Sequence, residues 1–152
     1  MNVIMNSTKR VFSIIRQNNT QLFHNNIKLM SIIYTDNHET IQINNNIMMV
    51  GLSKYALKEL GEIVFIDCDL ETGDTIDKND TLCTIESVKS TEDIDSLCDG
   101  EFMEYNENTI NNFKEIHNID EKDSWLVKLK FYEIDKSNFM NYEEYDSFVK
   151  KI

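Results

Sequence analysis

Between Thr40 and Tyr105 the chain is cut into short apolar segments: "TIQI" (40–43), "IMMV" (47–50), "EIVFID" (62–67), "TLCTIES" (81–87), "TEDID" (91–95) and "EFMEY" (101–105). Clusters of Asn, Asp, Gly and Ser separate them, and these residues favour turns. Runs this short and this closely spaced cannot make long helices. They predict a mainly β fold, a small barrel or sandwich, with short helices at its margins. Asn44 to Asn46 form a polar turn between the first two strands. "SKYALKELG" (53–61) reads as a brief helix, with Ser53 as its cap and Leu57 and Leu60 on its buried face. Gly61 then closes it in the left-handed conformation. Four consecutive apolar residues in "EIVFID" predict a strand buried on both faces. Asp99-Gly100 is expected to be a tight turn that carries the meander into "EFMEY".

The last third adds a strand and a helix. "SWLVKLKF" (124–131) sets Trp125, Val127, Leu129 and Phe131 against Leu126, Lys128 and Lys130, the period of a strand with one mostly polar face. Asn141 and Glu144 have capping-box spacing, acids fill the first turn, and Lys150 and Lys151 fall in the last. Tyr142, Tyr145, Phe148, Val149 and Ile152 form the stripe expected to dock this helix on the sheet.

Charge narrows the function. The 152 residues carry a net charge of −12, which argues against non-specific nucleic-acid binding. No apolar run approaches the roughly 18 residues of a membrane span. Residues 1–33 hold Lys9, Arg10, Arg16 and Lys28 but no acid, so the remaining 119 residues balance at −16. An acid-free leader containing "STKRVFSIIRQ" resembles a mitochondrial transit peptide. Residues 1–32 are therefore read as a leader and 33–152 as one domain. The expected location is the mitochondrial matrix or a mitochondrion-related organelle. Three cysteines at intervals of fifteen match no zinc pattern and are expected as reduced, mostly buried thiols. The histidines form no pair at ligand spacing. Four glycines leave little material for a phosphate loop, and no nucleophile–base motif is present. The chain reads as a non-enzyme.

One residue stands out against this background. "TLCTIES" runs in, "SVKS" turns and "TEDID" runs out, which puts Lys89 at the tip of a tight hairpin. Glu86, Glu92, Asp93, Asp95, Asp99 and Glu101 lie within a dozen positions of it. An exposed ion pair at a hairpin tip contributes only ~0–1 kcal/mol, so stability gives no reason for a lysine there.

"ESVKS" between two strands resembles the lipoyl-attachment hairpin of the glycine cleavage system H protein family. "VGLSKYALKELGEIVFID", "ETGDTIDKNDTLCTIESVKSTEDIDSLCDGEFMEYNE", "SWLVKLKF" and "NFMNYEEYDSFVKKI" are similar to the rest of that family in order and spacing, over roughly residues 33–152. The resemblance implies a lipoyl-type barrel-sandwich hybrid with a C-terminal helix. It implies lipoate joined to Lys89 through an amide, with Glu86, Ser87, Val88 and Ser90 as the recognition context. The partners it implies are a pyridoxal-phosphate glycine decarboxylase, an aminomethyltransferase, dihydrolipoamide dehydrogenase and a lipoyl ligase. A lipoate relay carrier serving 2-oxoacid dehydrogenase complexes fits the same residues. Lipoyl and biotinyl domains of larger complexes are shorter and usually carry "DKA" or "MKM" around the lysine. The chain departs from the family at Thr40, where tryptophan is usual, at Asn79 for glycine, at Leu97 for proline, and in having no proline at all.

A chain beginning at Ile33 is expected to melt within about a degree of the full chain, and residues 1–32 fused to a reporter should carry it into the organelle. A loss of several degrees, or cytosolic retention of the reporter, would show that the leader is part of the fold.

Overall fold

The computed structural model describes residues 30–152. The expected leader lies outside them apart from its last three positions. The elements, in chain order, are β1 (Ile33–Tyr34), β2 (Glu39–Asn44), β3 (Ile47–Leu52), α1 (Lys54–Leu60), β4 (Ile63–Asp67), β5 (Thr75–Ile76), β6 (Thr81–Ser87), β7 (Thr91–Asp95), β8 (Gly100–Tyr105), α2 (Glu107–Asn111), a 3-10 segment (Phe113–Asn118), β9 (Val127–Phe131) and α3 (Tyr142–Val149). Two antiparallel sheets result. One has the order β1-β2-β3-β9-β8-β5 and the other β4-β6-β7. Side chains such as Ile41, Met48, Ile85, Ile94, Phe102 and Leu129 fill the space between them. The mainly β class expected from the sequence is the class observed. No helix of the described residues is long and apolar enough to cross a membrane.

Local chemistry sets most boundaries where the sequence suggested. Asn45, at φ 55°, makes the turn between β2 and β3. The Ser53 hydroxyl accepts from the Ala56 amide and caps α1, and Leu57 and Leu60 are buried. In β9, Val127, Leu129 and Phe131 face inward, while Lys128 is half-buried and Lys130 exposed. The capping box of Asn141 and Glu144 opens α3.

Several expectations need correction. β4 is not buried on both faces. It is an edge strand, and a bulge between Ile63 and Phe65 turns Val64 and Phe65 both to solvent, 52% and 49% exposed. "EFMEY" does not continue the meander. β8 pairs with β5 and β9 in the other sheet, so the chain after β7 changes sheets. The bend falls at Leu97 and Cys98, not at Asp99-Gly100. Gly100 is already in β8, where an added Cβ would stand 2.3 Å from the Lys130 carbonyl oxygen. Its glycine is needed for close backbone approach rather than for a turn. Finally, the stripe on α3 is only partly used. Tyr145 is buried and stacks on Tyr34 at 4.3 Å, but Tyr142 and Ile152 are exposed. The helix packs on β1, with Tyr145 close to Ser53 and His38. It ends before Lys150, which instead pairs with Asp146 one turn back.

Thr40 and Asn79 show how the departures from the family pattern are accommodated. Thr40 is buried in β2 opposite Gly51, where an added Cβ would meet the Thr40 hydroxyl at 3.0 Å. Asn79 takes φ 72° in the turn before β6, and its amide donates to the Ser96 carbonyl at 2.8 Å. Asparagine tolerates that region better than other non-glycine residues. Asn79→Gly should therefore be neutral or slightly stabilising in chemical denaturation, and Asn79→Val should cost about 1–2 kcal/mol. Equal stability of the two variants would contradict the left-handed turn.

Candidate functional site

The β6–β7 hairpin has Thr84 opposite Asp93, Ile85 opposite Glu92 and Glu86 opposite Thr91. This register leaves Val88, Lys89 and Ser90 to turn the chain. The Ser87 side chain organises the turn. Its hydroxyl donates to the Ser90 carbonyl at 3.0 Å and accepts from the amides of Lys89 at 3.2 Å and Ser90 at 3.0 Å. The Ser87 amide donates to the same carbonyl at 2.8 Å. A serine in this position satisfies backbone groups that no ladder partner reaches.

The tip is also tied to the start of the neighbouring strand β4 and to the end of α1. The Val88 amide donates to the Glu62 carbonyl at 3.0 Å, between α1 and β4. The Lys89 ammonium donates to the Glu59 carbonyl at 3.0 Å, in the last turn of α1. A cation is favoured at a helix C-terminus, although α1 is short and the group is exposed, so the contribution is small. Gly61 lies under the lysine stem, where an added Cβ would stand 3.4 Å from Lys89 Cε. Its φ of 74° and ψ of −138° belong to a region open essentially to glycine alone, not to the left-handed helical region expected for a simple helix stop. The Gly61 carbonyl in turn meets the His117 ring at 2.8 Å.

Each of the five site residues expected from the sequence sits at this tip or one residue before it. Glu86 is exposed, opposite Phe65 on one side and Thr91 on the other. Ser87 is half-buried, while Val88, 62% exposed, Lys89 and Ser90 stand in solvent. Among the described residues Lys89 makes no ion pair, so its acid neighbours in sequence do not hold it. The sequence reading missed the carbonyls of Glu59 and Glu62 and the second role of Gly61. Their only local signal was the helix-ending glycine, and nothing near it in sequence points to residue 89.

A cleft of about 540 Å³ opens beside the tip, lined among others by His38, Glu39, Glu59, Ser90, Glu92 and Asp95. Glu39 is 4% exposed. Burial raises its carboxyl pKa, a shift that the hydrogen bond from the Thr35 hydroxyl opposes. His38, at φ 70°, lies against Tyr55, Tyr145 and Phe148, and burial lowers its pKa. Its Nδ1 meets the Tyr145 hydroxyl at 2.8 Å, which also contacts Ser53 Oγ at 2.7 Å. The wall of the cleft is thereby fixed to both α1 and α3.

The residues at the tip suit an acyl group on Lys89. The amine is primary and exposed, and no carboxylate holds it. Acylation would leave one Nζ–H, so the hydrogen bond to the Glu59 carbonyl could survive the loss of charge.

Comparison with known proteins gives the family. The family described as Glycine cleavage H-protein matches residues 32–152. The glycine cleavage system H protein of Prochlorococcus marinus (strain MIT 9215) is 36% identical over 115 residues, covering 75% of this chain and 88% of that protein. The probable glycine cleavage system H protein of Picrophilus torridus is 37% identical over 121 residues, or 78% of this chain and 94% of its own. The fold is similar to the crystal structure of a glycine cleavage system H protein from Mycobacterium marinum, with a TM-score of 0.69 and 22% identity over 79% of this chain and 97% of the other. With a family match across nearly all the described residues and relatives above one-third identity, the chain belongs to the glycine cleavage H-protein family, whose members are non-catalytic carriers.

Proposed function

We propose that this chain is the lipoyl-carrying shuttle of a glycine cleavage system and that Lys89 is its attachment residue. The observation that carries the reading is the state of that lysine. It stands exposed at a hairpin tip, its backbone is held on both sides, and its ammonium makes one hydrogen bond, to a carbonyl. Lys89 would hold lipoic acid as an amide on Nζ, and the group would supply a redox-active cyclic disulfide for carrying an aminomethyl group between a pyridoxal-phosphate glycine decarboxylase and an aminomethyltransferase, with dihydrolipoamide dehydrogenase as the partner that restores the disulfide.

The chain's own part is presentation. Ser87 fixes the turn, so a lipoyl ligase meets a preorganised tip rather than a mobile loop, which lowers the ordering cost of recognition. Val88 offers an exposed apolar contact and Glu86 a charge on the same hairpin. Glu92, Asp93 and Asp95 are exposed on the outgoing strand and line the cleft beside it. Such a surface favours partners with basic docking groups. Tethering to Lys89 raises the effective concentration of the carried group at whichever partner is docked. The acid-free residues 1–32 are the proposed leader that takes the chain to a mitochondrion or related organelle.

Lys89→Arg keeps the charge but removes the primary amine. The variant should melt within about a degree of the parent, take no lipoate from the ligase, and support no glycine–bicarbonate exchange by the decarboxylase. Exchange at the parental rate, or lipoate found on another lysine of the variant, would contradict the assignment. Glu92→Lys combined with Asp93→Lys should leave melting nearly unchanged and raise the carrier concentration needed for half-maximal exchange. The gap from the parent should narrow at high salt, which screens the parent's docking as well.

A further inference from the structure

Cys68, the residue after β4, and Cys83, in the neighbouring strand β6, are free thiols. β4 and β6 run antiparallel with Ile66 opposite Ile85 and Asp67 opposite Thr84. The paired ladder ends there, and one further step along the same register would set Cys68 opposite Cys83. Their orientations agree. Ile66 and Ile85 face the core, Asp67 and Thr84 turn outward, and the alternation returns both cysteines to the inner side. Cys83 is 3% exposed within the core, and Cys68 is half-buried and packed against it. Directly opposed residues on antiparallel strands have Cα atoms about 4.5–5.5 Å apart, inside the ~4.4–6.8 Å range of disulfides.

Tyr105 clamps this junction independently of the ladder. Its hydroxyl accepts from the Leu70 amide at 3.1 Å and donates to the Leu82 carbonyl at 2.8 Å. Those two residues lie just beyond Cys68 and just before Cys83. An ionised Cys68 opposes the ionisation of both Cys83 and Tyr105, as expected for three groups gathered at one place. A cleft of about 860 Å³, lined by Cys68 together with Leu70, Tyr105, Ile110 and Trp125, gives small molecules a route to Cys68, while Cys83 lies behind it in the core. It is separate in its lining residues from the cleft beside Lys89.

We propose that Cys68 and Cys83 form a cross-strand dithiol that a low-molecular-weight disulfide such as oxidised glutathione converts to an intramolecular disulfide. The Cys68 thiolate attacks one sulfur of the oxidant and releases one glutathione thiolate, giving a mixed disulfide. Cys83 then loses its proton and attacks the Cys68 sulfur, which releases the second glutathione thiolate. Two protein thiols lose two electrons, one oxidised glutathione becomes two reduced molecules, and the two thiol protons pass to the departing thiolates. Cys68 is the entry point because it is the more exposed of the two. Burial, with Asp67 and Asp69 beside it, pushes its thiol up to about 11, so thiolate is scarce at neutral pH and the exchange is slow. Cys98 lies in the bend after β7, outside the register of β4 and β6.

The test uses the full chain without lipoate, whose thiols are then the three cysteines alone. It is equilibrated for hours in glutathione buffers from fully reduced to fully oxidised, quenched with acid, alkylated in denaturant and read by intact mass and peptide mapping. Two thiols should disappear in one transition with no glutathione retained. The peptides of Cys68 and Cys83 should be linked and Cys98 alkylated throughout. Neither Cys68→Ser nor Cys83→Ser should give an intramolecular disulfide. The oxidised parent should melt higher, by on the order of 10 °C for a loop of this length. A stable glutathione adduct on Cys68 with Cys83 still alkylatable, three reduced thiols at the oxidising extreme, or a link through Cys98 would each overturn the proposal.

Discussion

The hydrogen bond from the Val88 amide to the Glu62 carbonyl joins the hairpin tip to the segment that leaves α1 and enters β4. Most of the site geometry depends on that junction. It requires the chain to reverse at Gly61 in a backbone conformation that other residues avoid, and it leaves a glycine surface against which the Lys89 stem can lie. It also brings the last turn of α1 within reach of the ammonium. The lysine is therefore exposed without being loose. Its main chain is fixed by Ser87 and Glu62, and its side chain rests on a carbonyl rather than on a carboxylate.

The distinction between carbonyl and carboxylate matters for a residue that is to be acylated. A buried or paired lysine would lose a charge interaction on modification and would resist it. Here the charge has no ion-pair partner among the described residues, and the one hydrogen bond needs only an N–H. The surrounding acids do their work at longer range. They give the hairpin and the cleft a negative field that selects partners, and such fields steer association more than they stabilise folds.

Much of this was legible in the sequence because it was local. The extents of β2, β3, β6 and β7, the Ser53 and Asn141 caps and the lysine at the tip all follow from neighbouring residues. The errors came where distant chain segments decide the outcome. Val64 and Phe65 read as core until the bulge and the edge position of β4 turned them outward. Asp99-Gly100 read as a turn because the pair is a strong hairpin signal. Only the close approach of Lys130 explains the glycine. β8 read as the next meander strand, and the change of sheet after β7 has no signature in "SLCDG". The exposed face of α3 was overestimated as core because its aromatic stripe is wider than the surface β1 and α1 provide for it. At the site, the five hairpin residues were legible, whereas Gly61, Glu59 and Glu62 reach residue 89 only through the fold.

The central claim is that Lys89 carries the lipoyl group. Incubation of the full chain with lipoyl ligase, lipoate and ATP, followed by intact mass and peptide mapping, addresses it directly. The account predicts one added lipoyl group per chain, located on Lys89. An unchanged mass under conditions that load a known carrier of the family, or a lipoyl group mapped to any other lysine, would contradict it.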